Sequence, residues 1–369
     1  MTLAILMQES SIIAMSVAFI AGFSSLLLLF HKIQTKLPFT LCAILSIVAC
    51  DTPIKEDESV KQKEQSFIIR LSPELDSIIS TSATLDTLAE GFIWSEGPLW
   101  LESEQALLFT DVPKNVIYRW SESDGLSTYL EKSGYLGDRT DKHEAGANGL
   151  ILDQNGNLIL CQHGERQVAR MKASLTTPEA SFEPLANMYE GTPLNSPNDL
   201  VQHSNGTIFF TDPPYGLDPW DTIKLDFAGV YSLDTNGSLM LLIDSLSRPN
   251  GIALSGDESK LYVAVSDPDL AAYYVYDLDA TGKITSGKLL LDVTDKVKSG
   301  LPGLPDGLKV HPSGNIFATG PGGILVIASD GKHLGTIDTG QATANCAFNA
   351  DYSQLYMTAH KYLMRLKLK

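Results

Sequence analysis

Closely spaced metal-binding pairs are missing from this chain, and cysteine is scarce. The 369 residues include four cysteines and seven histidines, with no Cys-x-x-Cys pair and no His-x-x-x-His spacing. Structural zinc sites are usually assembled from such pairs, so none is expected. Cys161 and Cys346 lie in apolar, strand-like stretches and are predicted to be buried thiols, with a disulfide between them as the alternative.

Positive charge is also in short supply. The chain has 27 Lys and Arg against 44 Asp and Glu, a formal net charge of −17, and no run of basic residues follows the N-terminal region. The electrostatic field of such a negative net charge repels phosphate backbones, which argues against nucleic acid as a partner. Acidity is common in exported proteins and in hosts of hard cations, so it supports metal binding only weakly.

Helical periodicity is lacking after residue 90, whereas turn residues are frequent, with 29 Gly and 18 Pro in the whole chain. Residues 194–216 show the dominant pattern, in which an apolar strand begins at Leu200, an Asn205-Gly206 turn follows, and a second strand covers 207–211. Asn-Gly between two apolar runs predicts a hairpin whose two central residues adopt positive φ. An all-β fold is therefore expected.

The same pattern returns six times. Each copy begins with a polar residue at the head of an apolar strand. These heads lie 39 to 56 residues apart, at Glu96, Asn148, Asn198, Asn250, Asp306 and Asn345. A period of about 40 to 50 residues in an all-β chain is typical of four-stranded propeller blades, which predicts a six-bladed β-propeller. A closed ring leaves no open edge, and residues 65–71 or 83–92 are expected to supply the outer strand missing from the last blade.

The N-terminus has the pattern of an export signal. Apolar runs at 11–30 and 37–49 lead to Cys50 through Ile-Val-Ala-Cys, a tail that resembles a bacterial lipobox. We expect a signal or lipobox segment at 1–50, a flexible charged linker at 51–66 and a propeller hydrolase domain at 67–369. The protein would then be exported to the periplasm or cell surface and anchored by a lipid on Cys50. The alternative is a transmembrane anchor at 11–30, which is long enough to span a bilayer.

The six head residues are expected to surround the propeller axis, because innermost strands line the central channel. They comprise two carboxylates and four carboxamides. An oxygen-only ring favours a hard divalent cation, and Ca²⁺ is the first choice, with Mn²⁺, Mg²⁺, Zn²⁺ and Fe²⁺ left open. Asn and Asp before Gly are also ordinary turn formers. Six copies at one point of the repeat, one of them a Glu, favour a binding site over six turns.

Several motifs resemble those of the SMP-30/gluconolactonase/luciferin-regenerating-enzyme family, and one is similar to its bacterial gluconolactonase branch. They are Ser-Glu-Gly-Pro at 95–98, Ser-Pro-Asn-Asp at 196–199, Arg-Pro-Asn-Gly at 248–251, Pro-Asp-Gly-Leu at 305–308 and Thr-Asp-Pro-Pro-Tyr-Gly at 211–216. The resemblance implies a six-bladed propeller with one central divalent cation and lactone hydrolysis as the commonest activity. It implies Glu96, Asn250 and Asp306 as metal ligands, with Asn198 at the metal or against the substrate. Ser196 stands where some relatives have an Arg that grips a sugar acid.

These assignments predict a metal-dependent lactonase that acts on a small sugar lactone such as glucono-1,5-lactone. Asp306 is the candidate base that holds the attacking water. Asn198 and His163 complete the candidate catalytic set, although a lone His at a strand end is as often structural. The candidate substrate-binding residues are Asn148, Asn198, Tyr215, Arg166 and Asn345.

Two other functions remain open. Related propellers use a similar oxygen ring to hydrolyse phosphotriesters or aryl esters, and the ring alone does not separate these activities. A non-catalytic propeller that binds a partner, with a structural metal, is the second alternative. It predicts apolar or variable residues at the channel mouth, whereas all six heads carry side-chain oxygens.

Overall fold

A computed structural model describes residues 67–369. The predicted signal or anchor segment at 1–50 and the linker at 51–66 lie outside the described residues. Within the described part of the chain, no helix is long and apolar enough to cross a membrane.

The strands of residues 67–369 form six antiparallel sheets and one short ribbon. The chain begins with β1 (Ile68–Arg70) and β2 (Leu85–Glu90). Blade 1 contains β3 (Ser95–Leu101), β4 (Ala106–Asp111), β5 (Val116–Ser121) and β6 (Gly125–Glu131). Blade 2 contains β7 (Ala147–Leu152), β8 (Leu158–Gln162), β9 (Gln167–Met171) and β10 (Phe182–Ala186). The ribbon consists of β11 (Met188–Tyr189) and β12 (Thr192–Pro193).

Four further blades complete the ring. Blade 3 contains β13 (Leu200–Gln202), β14 (Ile208–Asp212), β15 (Gly229–Leu233) and β16 (Leu239–Ile243). Blade 4 contains β17 (Pro249–Leu254), β18 (Lys260–Asp267), β19 (Leu270–Leu278) and β20 (Ile284–Asp292). The helix α1 (Thr294–Lys298) precedes blade 5, which contains β21 (Leu308–Val310), β22 (Ile316–Gly320), β23 (Gly323–Ile327) and β24 (His333–Ile337). Blade 6 contains β25 (Asn345–Phe348), β26 (Gln354–Ala359) and β27 (Tyr362–Lys367). Short 3₁₀ helices occur at Pro73–Ser77 and Glu102–Glu104.

The arrangement confirms the predicted six-bladed propeller. The first strand of each blade contacts the first strand of the next, and β25 contacts β3, which closes the ring. Within each blade the strands follow one another outward by antiparallel hairpins. Helix is almost absent from residues 67–369, as predicted, and α1 has only five residues.

Both N-terminal stretches join the ring. Strand β2 pairs with β27, with Leu85 opposite Leu366, and so becomes the outer strand of blade 6. Strand β1 pairs with β24, with Ile68 opposite Ile337, and adds a fifth strand to blade 5. Of the two stretches predicted to supply the closing strand, 83–92 closes the ring, while 65–71 extends blade 5 instead.

The hairpin between β13 and β14 differs from its prediction. Gly206 has a φ of 92°, whereas Asn205 does not adopt positive φ. Instead Asn205 Oδ1 accepts a hydrogen bond from Thr207 N at 2.9 Å, and His203 N donates to Thr207 O. The loop covers 203–207 and is therefore longer than two residues, and the Asn205 side chain caps a backbone N–H within it. The prediction of two positive φ values was wrong.

Apolar side chains pack between neighbouring blades. Cys161 of blade 2 packs with Phe210 and Tyr231 of blade 3, while Cys346 of blade 6 packs with Phe317 of blade 5. Both cysteines are free and buried, as predicted, and no disulfide joins them. Burial raises the pKa of Cys346 to about 12, so this thiol is protonated and unreactive at neutral pH.

Candidate active site

Glycine after the head residue brings the innermost strands of adjacent blades together. A Cβ on Gly97 would lie 2.0 Å from Asn148 O, and one on Gly251 would lie 2.1 Å from Asp306 O. A Cβ on Gly307 would lie 2.0 Å from the Asn345 side chain, and one on Gly149 would lie 2.8 Å from Asn198 O, so both also approach the next blade closely. Of these four glycines only Gly97 has positive φ, so a turn preference does not explain why glycine recurs at this position. It recurs because adjacent blades lie too close together near the axis to leave room for a Cβ.

Threonines on the second strands strengthen the same contacts. Thr110 Oγ1 donates to Asn148 O at 3.2 Å, and Thr211 Oγ1 donates to Asn250 O at 2.6 Å. Each hydroxyl holds the backbone of a head residue in the next blade. The head side chains are thereby positioned by buried main-chain contacts.

Five of the six head residues line a cavity of about 430 Å³ at the centre of the ring. The wall also contains residues that sequence reasoning did not assign to it, including Trp94, Glu144 and Ser266. Apolar side chains of the cavity wall come from several blades and from the segment around α1, which contributes Val297. The lining residues are Trp94, Glu96, Val112, Glu144, Asn148, Asn198, Tyr215, Asn250, Ser266, Val297, Gly303, Leu304, Asp306, Ala342 and Thr343.

Two buried carboxylates, Glu96 and Asp306, face this cavity, and neither forms an ion pair with a side chain of residues 67–369. Burial raises the pKa of Glu96 to about 8, although a hydrogen bond from Gly97 N opposes the shift. Burial raises the pKa of Asp306 well above its usual range, and the charges of Glu96 and Asp199 add to the rise. Two like charges in a desolvated site are costly unless a cation compensates them. The pair is therefore suited to a bound cation.

The free atoms of the ring are oxygens. Asn148 Oδ1, Asn250 Oδ1 and Asp306 Oδ1 are buried and have no hydrogen-bond partner within residues 67–369. The amide nitrogen of Asn250 donates to Ser266 Oγ at 3.0 Å, which leaves its oxygen as the available atom. Unpaired buried oxygens are rare, and an oxygen set of this kind matches the ligands of a hard cation. Within residues 67–369, no group of three or more His, Cys, Asp or Glu side chains is arranged to hold a metal ion, so a cation at this ring would need oxygens of the carboxamides as well.

Asn198 and Asn345 occupy different environments. Asn198 lines the cavity, and its backbone N donates to Thr211 O at 2.8 Å. Asn345 is not among the lining residues. Its Nδ2 donates to Asp199 Oδ2 at 3.4 Å, and its Oδ1 accepts from Lys309 Nζ at 3.3 Å. The structure thus brings five heads to the cavity and places the sixth beside Asp199.

His163 lies behind the wall and is fully buried. Its Nδ1 lies 2.9 Å from Glu144 Oε2, and Glu144 does line the cavity. His163 Nε2 is buried and has no hydrogen-bond partner in the described residues. Sequence reasoning missed Glu144, since it lies in the loop between β6 and β7, outside every repeated motif.

Tyr215 and Arg166 also differ in their placement. Tyr215 lines the cavity, and burial raises the pKa of its hydroxyl to about 12, so it stays a hydrogen-bond donor at neutral pH. Arg166 is not a lining residue, and its Nε donates to Leu194 O at 2.7 Å and to Asn195 O at 3.1 Å. Arg166 therefore braces the loop that leads to Asn198.

The chain matches the family described as SMP-30/Gluconolactonase/LRE-like region over residues 94–361. It is 38% identical to a gluconolactonase of Zymomonas mobilis over 310 residues, which cover 82% of this chain and 86% of that protein. A solved gluconolactonase structure from Xanthomonas campestris is 29% identical, with a TM-score of 0.70, and the match covers 82% of this chain and 94% of that one. The pentonolactonase XacC of Haloferax volcanii is 24% identical over 71% of this chain and 80% of its own length. This chain belongs to the SMP-30/gluconolactonase/LRE-like family.

Proposed function

We propose that this chain hydrolyses a sugar lactone such as glucono-1,5-lactone in the central cavity, with the help of a divalent cation. The observation that carries the proposal is the ring of buried, unpaired oxygens around two uncompensated carboxylates. The 38% identity to a gluconolactonase over most of both chains makes the chain a gluconolactonase-like lactone hydrolase.

Glu96, Asn198, Asn250 and Asp306 would hold the cation, and their oxygen chemistry favours Ca²⁺ first, with Mn²⁺, Mg²⁺, Zn²⁺ and Fe²⁺ as competitors. All four residues line the cavity. A bound cation would polarise the lactone carbonyl and stabilise the negative charge that develops on its oxygen.

The chain's own residues supply the remaining chemistry. Asp306 Oδ1, which has no partner in the described chain, accepts a hydrogen bond from the attacking water and takes its proton as the water oxygen bonds to the carbonyl carbon. The proton then passes to the ring oxygen as the ester bond breaks, which gives the open hydroxy acid. Asn148 and Tyr215, both in the wall, bind ring hydroxyls. The wall's apolar residues displace water around the substrate.

An aryl or alkyl ester is the second candidate substrate. Trp94, Val112, Val297 and Leu304 give the cavity a substantial apolar surface, which suits an aromatic or aliphatic leaving group better than a fully hydroxylated ring. A phosphotriester is a variant of the same candidate.

Lactone hydrolysis by the purified full-length chain tests the proposal, after chelation and then with each cation restored. We expect turnover of glucono-1,5-lactone to depend on the cation and to fall at least 100-fold in Asp306→Asn and Glu96→Gln, since each removes a charge that no other group replaces. Trp94 lies in the wall, so its fluorescence provides an independent readout of cation binding. Cation-loaded protein that hydrolyses no lactone and no aryl ester would overturn the enzymatic proposal and favour a non-catalytic binding propeller.

We propose further that residues 1–50 direct export and that a lipid on Cys50 holds the protein to a membrane through the linker at 51–66. The Ile-Val-Ala-Cys tail before that linker supports the proposal. Membrane fractionation of the wild type and of Cys50→Ala tests it. A Cys50→Ala protein that stays in the membrane fraction would favour a transmembrane anchor instead.

A further inference from the structure

The charged side chains that line the central cavity are all acidic. Glu96, Glu144 and Asp306 contribute to its wall, and no Lys, Arg or His is among the lining residues. Basic groups lie outside this wall. Lys309 Nζ lies 3.3 Å from Asn345 Oδ1 and 4.0 Å from Asp199 Oδ2, and the charge of Arg248 acts on Tyr215 from behind the wall. Lys142 Nζ lies 2.9 Å from Asp218 Oδ2, and Arg166 donates to main-chain carbonyls. A substrate with a second negative group therefore meets no cationic partner from the wall.

Ser196 does not provide a substitute. This residue is fully buried. Its hydroxyl donates to Pro213 O and accepts from Gly216 N at 2.9 Å. Both hydrogen-bonding roles of the hydroxyl are thus occupied within the loop that carries Tyr215, and Ser196 is absent from the cavity wall.

Glu144 is the acidic group that a cation held by the head residues would leave uncompensated. Its Oε2 is bound by the fully buried His163, whose Nδ1 lies 2.9 Å away. The loop on which Glu144 lies is further fixed by Gly146 N, which donates to Val112 O at 2.8 Å, and by the buried Lys142–Asp218 pair. Only Oε2 takes part in the bond to His163, so Oε1 remains for a substrate hydroxyl.

We propose that Glu144 is a specificity-determining residue, which accepts a hydrogen bond from a ring hydroxyl and excludes lactones that carry a phosphate or a second carboxylate. The inference rests on the proposed lactonase function and adds its substrate class, the uncharged polyhydroxy lactones. His163 is a positioning residue in this scheme, because it fixes the carboxylate without touching the substrate. Like charges about 8 Å apart at an effective dielectric constant of about 20 correspond to a discrimination on the order of tenfold to thirtyfold.

The test compares kcat/KM for glucono-1,5-lactone and 6-phosphoglucono-1,5-lactone in the cation-loaded full-length protein. Wild type is expected to prefer the uncharged lactone. Glu144→Gln keeps the shape and an acceptor oxygen but removes the charge, so it should shift the ratio of the two kcat/KM values toward the phosphorylated lactone by about tenfold or more. High salt should weaken the wild-type preference and leave the Glu144→Gln ratio nearly unchanged, because only a charged residue is screened.

Asp138→Asn is the matched control. It removes the same charge from the same loop, but the Asp138 side chain is fully exposed and lies outside the cavity wall. This variant should retain the wild-type ratio. An unchanged ratio in Glu144→Gln, or an equal shift in both variants, would overturn the role of Glu144. Absence of turnover of the uncharged lactone in wild type would instead refute the proposed function itself.

Discussion

Replacing Gly251 by alanine should displace Asp306 and thereby disable the cavity. The added Cβ would lie 2.1 Å from Asp306 O and 2.7 Å from Gly307 Cα, both main-chain atoms that cannot rotate away. Restoring an ordinary contact requires a backbone movement of roughly 1 Å in a tightly packed interior. Overpacking of this kind costs about 1–3 kcal/mol of unfolding free energy, and a misplacement of about 1 Å at a reacting group costs about 100-fold in rate.

Urea unfolding and lactone kcat/KM, measured on the same preparations, test this prediction. Gly256→Ala is the control in the same blade, since its added Cβ meets nothing within 4 Å and Gly256 does not have positive φ. We expect the control to retain activity and stability within about 1 kcal/mol. A Gly251→Ala enzyme with wild-type activity would refute the conclusion that close blade contacts position the head residues.

Two further predictions concern the loop that leads to Asn198. Asp212, the last residue of β14, accepts a hydrogen bond from Asn195 N of this loop at 2.8 Å through Oδ2. Burial raises the pKa of Asp212 to about 7, so the folded state keeps a proton that the unfolded chain releases above its ordinary pKa near 3.8. Asp212 should therefore contribute a fall in the unfolding free energy between about pH 4 and pH 7, of about 1.4 kcal/mol per pH unit at most, in addition to the contributions of Glu96 and Asp306. Asp212→Asn should remove this contribution and so reduce the difference in unfolding free energy between pH 5 and pH 8 in urea unfolding, and an unchanged difference would contradict the assignment. Arg166→Met leaves two main-chain carbonyls without their donor and should lower the unfolding free energy by about 1–3 kcal/mol. Arg139→Met, at a more exposed arginine, should change it far less, and equal effects would argue against the bracing role of Arg166.

The repeated strand pattern was sufficient to predict the number of blades, because each blade begins with the same local sequence pattern, a polar residue followed by an apolar strand, a turn and a second apolar strand. It could not decide between residues 65–71 and 83–92 as the closing strand. Both stretches form short strands, and the choice depends on contacts with β24 and β27, which lie far along the chain. Local patterns carry no information about such distant pairing.

Those lining residues could be predicted whose position in the repeat places the side chain toward the propeller axis. Five of the six heads reach the wall for this reason. The last interval, of 39 residues, is the shortest, and there Asn345 packs against Gly307 and Asp199 instead. Glu144 was not predictable, because its place in the wall depends on His163 and on how the loop after β6 folds back.

The pairing of β2 with β27 also constrains the order in which the protein folds. Leu85 pairs with Leu366, which lies far along the chain, so blade 6 cannot be completed until β27 has been synthesised. Blades 1 to 4 consist only of consecutive strands and can assemble as they emerge. Because long-range pairing is slow, docking of β2 is expected to be the final step. Nascent chains released before residue 362 should therefore remain open rings with exposed strand edges, which are prone to aggregate.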